Sequence, residues 1–258
     1  MISIDLSQNA VLITGAMGAI AEHITRRLNE AGATLILTDI LDPESARQRL
    51  DGWKIPPAAC HYEPMDVTNS DEVDLVVTSL TDRFPNIDIC LGHAGGCALH
   101  PFAATPREEY DRIVQFNFLG QTYLSRALLR SWTRRNVPGH LIFTSSVAGS
   151  FPLEGLSAYT PSKAALEAFA KTLALEYAAH GIRCNCIAPG IVAAGSALKI
   201  YKEDPNYRAL ADRLIPAGRL SPPEAVADAF LWLCSPLATE VNGAVIAVDA
   251  GMGIPRLS

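Results

Sequence analysis

Ser145, Ser146, Tyr159 and Lys163 are the side chains of this sequence whose types and spacing could move a proton. A free phenol has a pKa of ~10 and is a poor base near neutrality, but a fixed cation beside it favours its ionised form. Residues four apart on a helix are neighbours, so Lys163 can hold its ammonium next to the phenol of Tyr159. A phenol tuned in that way gives or takes the proton of an alcohol or a carbonyl, and a serine hydroxyl facing it can hold the same oxygen. Taken alone, a Tyr and a Lys at this spacing are more often packing plus a solvated charge. The surrounding elements must supply the geometry.

They are legible. The run HLIFTSS (140–146) is apolar and β-leaning, which places Ser145 and Ser146 at the exit of a buried strand. After them Leu166, Phe169, Leu173 and Tyr177 recur at helical spacing, and Pro161 suits a helix first turn. Further strand-like runs fall at 10–14, 34–39, 59–63, 87–92, 141–145, 182–188 and 244–249. Helical periodicity fills 19–31, 43–50, 70–84, 107–134, 159–180 and 222–233, and an irregular segment extends to about 219. This alternation predicts an α/β fold, a doubly wound parallel sheet of about seven strands with helices on both faces. No linker or repeat interrupts it, so residues 1–258 read as one domain.

Composition narrows the functions. Hydrophobic residues make up 49% and charged residues 19%, a globular balance, and the net charge of -6 disfavours nucleic acid and anionic membrane as partners. No apolar run is as long as a membrane span, and residues 1–8 lack the pattern of a signal peptide, so a cytoplasmic location is expected. The cysteines Cys60, Cys90, Cys97, Cys184, Cys186 and Cys234 are scattered and read as free thiols. Cys184 and Cys186 share a strand face, but no nearby His or CxxC completes a metal site, and none is expected.

In sheets of this kind ligands bind at the carboxyl ends of the strands. There TGAMGAIA (14–21) joins the first strand to the first helix, and Gly15 and Gly18 allow a backbone to approach a pyrophosphate at the helix amino end. Asp39 ends the second strand, where a carboxylate accepts hydrogen bonds from an adenine-side ribose and repels a 2′-phosphate. NAD is therefore expected rather than NADP.

With these residues in place the chain resembles the compact, single-domain branch of the short-chain dehydrogenases/reductases along essentially its whole length. TGAMGAIA, Asp66-Val67, GHAG (92–95), Asn117 in QFNFLG, Ser146, YTPSK (159–163) and APG (188–190) carry the resemblance. A closing segment through Arg219-Leu220, Asn242-Gly243, Val248-Asp249 and Gly251 completes it. The resemblance implies a Rossmann-type fold, with Tyr159 as general acid/base and Lys163 lowering its pKa while binding the nicotinamide ribose. Ser146, thirteen before Tyr159 as in the family, would bind the substrate oxygen, and Asn117 would hold a water that passes protons beyond Lys163. Gly15, Met17, Gly18, Ala19, Ile20, Asp39 and Ile40 would line the dinucleotide site. Asp66 and Val67 would meet the adenine, Ala94 and Gly95 the ribose region, and Pro189, Gly190 and Val192 the nicotinamide. Asn117 could also simply bend its helix, and Pro189-Gly190 could be only a turn.

The chain departs from the family pattern at three places. Ala19 and Ala21 stand where the turn usually has its later glycines, so that Gly15-x-x-Gly18 resembles the longer, two-domain branch. Gly92 replaces an asparagine that normally pins strands together, which leaves His93 a packing role. Ala194 replaces a threonine that usually contacts the nicotinamide amide.

Segments 96–102, 150–156 and 191–214 should wall a substrate pocket, the last as a mobile lid carrying Tyr201, Lys202, Tyr207 and Arg208. With Phe151, Leu153 and Leu156 beside His100 and Glu154, the expected substrate is a secondary alcohol of a small sugar-like or polyol-like molecule. One alternative is a 3-oxoacyl-thioester reductase, its acidic carrier docking on Arg126, Arg130, Arg134 and Arg135, although such charges are usually a solvated face. Another, of a different class, is a nucleotide-binding regulator without turnover, which would not need Ser146, Tyr159, Lys163 and Asn117 together. The resemblance implies a homotetramer paired through helices 107–134 and 159–180, with the apolar ending 245–255 as a second interface.

Overall fold

The computed structural model of the chain describes residues 4–254. Its sheet is built from β1 (Ala10–Thr14), β2 (Thr34–Asp39), β3 (Cys60–Pro64), β4 (Ile87–Gly92), β5 (Gly139–Thr144), β6 (Ile182–Pro189) and β7 (Val245–Val248). The strand order is β3-β2-β1-β4-β5-β6-β7, and every pairing is parallel. The winding reverses between β1 and β4, and doubly wound sheets open their ligand crevice at such a point. The helices are α1 (Ala19–Glu30), α2 (Pro43–Gly52), α3 (Ser70–Arg83), α4 (Arg107–Val114), α5 (Gly120–Arg135), α6 (Tyr159–Glu176), α7 (Gly195–Glu203), α8 (Pro205–Leu214) and α9 (Pro223–Cys234).

Both sheet faces are covered, which is why the central strands are apolar throughout instead of alternating. All of β1 is buried. On one face Ile24 and Leu28 of α1, Leu50 of α2 and Phe230 of α9 pack on Val11, Ile13 and Leu35. On the other, Val77 of α3, Leu128 and Trp132 of α5 and Leu166 and Leu173 of α6 pack on Leu12, Leu141 and Phe143. Local chemistry sets where helices begin: Asp42 caps α2, accepting from the Ser45 amide at 3.0 Å, with Pro43 in its first turn.

Three expectations from sequence need correcting. The stretch 107–134 is two helices joined by a π turn, Gln115–Leu119, because the side chain of Asn117 is held by the backbone of Gly96 and swells the helix there. The helix from Tyr159 ends at Glu176, and a short turn, Ala178–His180, with Gly181 at φ +70°, leads into β6. The segment after β6 is not irregular but holds α7 and α8, the second begun by Asp204, which accepts from the Asn206 and Tyr207 amides at 2.8 and 3.2 Å. Of the apolar ending, Pro255 lies outside the described residues.

Candidate active site

The carboxyl ends of β1, β2, β4 and β5 converge on one cleft. Thr14, the last residue of β1, accepts hydrogen bonds at its hydroxyl from the His93 and Ala94 amides, both at 3.2 Å, and so locks β1 to the segment after β4. Gly15 has φ +62°, and a Cβ on it would lie 2.7 Å from the Ala94 Cα, so that only glycine fits. Between this turn, the end of β2 and the segment after β4 lies a cavity of about 270 Å³, lined among others by Met17, Gly18, Asp39, Ile40 and Gly95. The Asp39 carboxylate accepts from the Met17 amide at 3.0 Å and the Ile40 amide at 2.8 Å, which fixes it at the rim beside the glycine turn.

Next to this cavity stand the proton-handling residues. Ser146 opens the turn after β5, whereas Ser145 points inward and donates to Glu167 at 2.6 Å. Ser146 faces the phenol of Tyr159 and pulls its pKa down, but desolvation outweighs this and the phenol is pushed up to about 12. The Lys163 Nζ lies 5.6 Å from the Tyr159 ring centroid and donates to the Thr144 carbonyl at 2.7 Å. Burial lowers the Lys163 ammonium to about 8, against smaller support from Cys186, Cys97 and Glu167. In this geometry burial dominates at Tyr159, and the Lys163 ammonium is bonded to a backbone carbonyl. A Cβ on Gly95 would sit 2.8 Å from Asn117 Oδ1 and 3.3 Å from Lys163 Nζ, so these three residues meet at one point. Asn117 is fully buried and spends its amide on Gly96 and on the Ser162 hydroxyl, at 3.1 Å.

The other expected positions are distributed around this centre. Ala19 begins α1 next to Gly195 of α7, and Ile20 packs against the core beneath it. Pro189 ends β6, Gly190 is pressed against Asp249, and Val192 pairs with Ser221; none of Pro189, Gly190 and Val192 is among the residues that line the cavity. Asp66 and Val67 are not among the residues that line this cavity. The Asp66 carboxylate accepts from the Thr68 amide and hydroxyl at 2.8 and 2.7 Å, while Val67 is buried under Gly120.

The family signature described as "Enoyl-(Acyl carrier protein) reductase" matches residues 15–253. The chain belongs to the short-chain dehydrogenase/reductase family. It is 33% identical over 249 residues to the 3beta-hydroxysteroid dehydrogenase 1 of Eggerthella lenta, covering 96% of this chain and 95% of that protein. It is 28% identical over 250 residues to the glucose 1-dehydrogenase 2 of Bacillus subtilis, covering 96% of each. The solved structure of a short-chain dehydrogenase/reductase from Mycobacterium ulcerans superimposes with a TM-score of 0.90 at 27% identity, over 99% of this chain and 92% of that one. Family membership makes the protein an oxidoreductase that interconverts alcohols and ketones on small molecules with a nicotinamide cofactor, NAD or NADP. The cleft of this dehydrogenase/reductase suits such a group: Gly15 leaves a cradle that a Cβ would fill, at the amino end of α1, next to a carboxylate.

Its departures from the family pattern have local explanations. A Cβ on Gly92 would fall 2.3 Å from Gln121 Oε1 and 2.6 Å from Phe143 Cδ1. Gln121 occupies the room a Gly92 side chain would need, and its amide donates to the Ala94 carbonyl at 2.8 Å. His93 bonds the Thr144 hydroxyl at 2.7 Å, meets Phe230 edge-on and also lines the cavity. Burial, and then the Lys163 charge, lowers its pKa to about 4. Ala194 precedes α7 and supplies no side-chain cap.

Sequence reasoning missed Gln121, Arg49 and Phe116. Arg49 donates to the Met17 carbonyl and lines the cavity with Phe116. A lone arginine in a predicted helix, ten residues after Asp39, carries no signal that it will reach back to the glycine turn.

Proposed function

We propose that this protein is an NAD-dependent dehydrogenase/reductase that interconverts a secondary alcohol and a ketone on a small sugar-like or polyol-like molecule. The observation that carries this reading is the convergence of Ser146, Tyr159, Lys163 and Asn117 at the rim of one cleft shared with Gly15 and Asp39. In this reading Gly15, Met17, Gly18, Asp39, Ile40 and Gly95 hold the dinucleotide, and Lys163 its nicotinamide ribose. When bound, the cofactor takes a hydride from the alcohol carbon or returns one to the ketone. Ser146 holds the substrate oxygen, and Tyr159 takes or gives the proton on that oxygen. Asp39 supports NAD over NADP, since a carboxylate at the end of β2 would accept hydrogen bonds from ribose hydroxyls and repel a 2′-phosphate.

The chain acts as one domain, with α7 and α8 as the lid. Val147 and Met252 cluster with Ala211 and Ile215, and Phe151, Leu153, Leu198 and Tyr201 pack against them, so the lid closes on the Ser146 turn through apolar contacts. That cluster favours a second reading, an alicyclic alcohol such as a hydroxysteroid. Reduction of a carrier-bound 3-oxoacyl thioester is less well supported. Arg126 and Arg130 are drawn to Asp74 of the same chain, at 3.0 and 3.8 Å, and Arg135 to the Thr81 and Pro85 carbonyls.

A panel of D-sorbitol, D-glucose, cyclopentanol, a 3β-hydroxysteroid and a 3-oxoacyl thioester, read by NADH absorbance, separates these readings. Tyr159→Phe is expected to abolish turnover of the best of them while NADH binding, read by fluorescence, persists. A near-normal rate in that variant refutes the assignment. Among the described residues no helix is long and apolar enough to cross a membrane; a cytoplasmic location and a homotetrameric assembly are part of the proposal.

A further inference from the structure

We infer that Glu167 is a positioning residue for Ser146: its carboxylate staples both ends of the turn on which that serine stands to the helix that carries Tyr159 and Lys163. The inference rests on the dehydrogenase reading for its consequence in catalysis, and on geometry alone for the staple itself.

Glu167 lies on α6, two helical turns after Tyr159, and is only 7% exposed. A carboxylate buried to that degree requires hydrogen-bond donors. It has the Ser145 hydroxyl on Oε1 at 2.6 Å and the Ser150 hydroxyl on Oε2 at 3.2 Å. These serines bracket the turn Val147–Gly149. Within the bracket, the Ser146 hydroxyl accepts from the Ala148 amide at 3.2 Å, and its carbonyl accepts from the Gly149 amide at 2.9 Å. Gly149 provides the opening through which the carboxylate reaches, for a Cβ there would lie 2.7 Å from Glu167 Oε1. The Ser145 amide donates to the Ile187 carbonyl at 2.7 Å, so the strand side of the turn is anchored separately; the far side, whose Ser150 and Phe151 amides donate to the Val147 carbonyl at 3.1 and 2.8 Å, is tied to α6 through the Ser150 hydroxyl. One helix thereby fixes the phenol, the ammonium and, through Glu167, the hydroxyl that must face the phenol. A misplacement of about 1 Å at a reacting group can lower a rate a hundredfold.

The same carboxylate also faces the Lys163 ammonium. The other titratable groups around that ammonium are Tyr159 on α6, Cys97 and His93 after β4, and Cys186 on β6. Burial pushes the Cys186 thiol up to about 12, so it is neutral in the working range, and Glu167 is the carboxylate among them. Removing its charge lowers the pH at which Lys163 loses its proton.

Amide hydrogen exchange, NADH fluorescence and turnover of the fastest panel alcohol test the inference on three proteins. In Glu167→Ala, exchange at residues 148–151 should accelerate and kcat should fall roughly ten- to a hundredfold, with NADH binding unchanged. Glu167→Gln keeps the shape and polar reach without the charge. It should restore slow exchange and most of kcat, while the alkaline limb of its pH profile moves to lower pH. Parental exchange and kcat in Glu167→Ala, or failure of Glu167→Gln to restore either, overturns the inference. Should Glu167→Ala not fold, Ser150→Ala decides: faster exchange at 148–151 with a several-fold lower kcat supports the staple, and parental values overturn it. Exchange requires no substrate. A Tyr159→Phe protein that still turns over would therefore sink the dehydrogenase reading without touching this result.

Discussion

Substituting Gly92 tests how this chain manages without an amide side chain at the end of β4. The Cβ of Gly92→Ala would come within 2.3 Å of Gln121 Oε1 and 2.6 Å of Phe143 Cδ1. Both neighbours are buried, Gln121 at 1% and Phe143 at 0% exposure, so neither can swing into solvent. Overpacking of this kind costs about 1–3 kcal/mol, and in a chain of this size each kcal/mol lowers the melting temperature by roughly 2–4 °C. Gln121→Ala alone frees the space but leaves the Ala94 carbonyl without its donor, which costs about 1–3 kcal/mol. In the double variant the new methyl occupies room that the glutamine has vacated, so the two losses should not add. A coupling of about 0.5–3 kcal/mol in the favourable direction is expected, with Phe143 limiting the recovery. Urea titrations of the four proteins, followed by circular dichroism, close the cycle. Strict additivity, or a Gly92→Ala protein as stable as the parent, refutes the account of Gln121 as the replacement.

Three further outcomes follow from the site. Asp39→Ala removes the acceptor of the Met17 and Ile40 amides together with a negative charge at the cavity rim. NAD affinity should fall about tenfold or more and the preference over NADP should shrink; unchanged affinities by fluorescence titration would contradict the placement. His93 has a folded pKa of about 4 against about 6.5 unfolded, so the unfolded chain binds more protons between those values and stability falls with acidification across that window. The loss reaches at most about 3 kcal/mol, and His93→Asn should flatten the slope in part, since buried His140 is lowered as well; melts from pH 7 to 4 measure it. Light scattering should return the mass of a tetramer, in which surface such as Leu175 on α6, 82% exposed in the single chain, would be covered, and a monomer contradicts that assembly.

Much of the fold was legible because the central strands are buried on both faces and carry unbroken apolar runs. β1, β2 and β4 begin and end where those runs do. What was not legible depends on contacts distant in sequence. The π turn at Asn117 arises from a loop more than twenty residues earlier, and nothing in QFNFLG announces it. Helices α7 and α8 escaped for a different reason. Asp204-Pro205 is a good start signal, but the helices it separates are short, with mixed faces that bury little on either side. Gln121 reads as an ordinary helix residue until Gly92 is seen across from it.

At the site the residue types were legible and their electrostatic balance was not. Spacing alone makes Lys163 the group that lowers the Tyr159 pKa, because sequence shows the cation and hides the solvent. In the folded chain the phenol is desolvated, which favours its neutral form, and the same burial disfavours the ammonium, so the two effects reinforce one another. The Thr144 carbonyl adds a competing partner for Nζ. Burial thus favours the protonated phenol, which in the dehydrogenase reading gives its proton to a ketone oxygen. To accept one from an alcohol, the ammonium must stay charged and turn from Thr144 toward the phenol. In the dehydrogenase reading proton transfer then depends on the charge of Lys163, which Cys186, Cys97 and then Glu167 support against burial. Glu167 lies one helical turn beyond Lys163 and reads in the sequence as one more polar residue of an amphipathic helix.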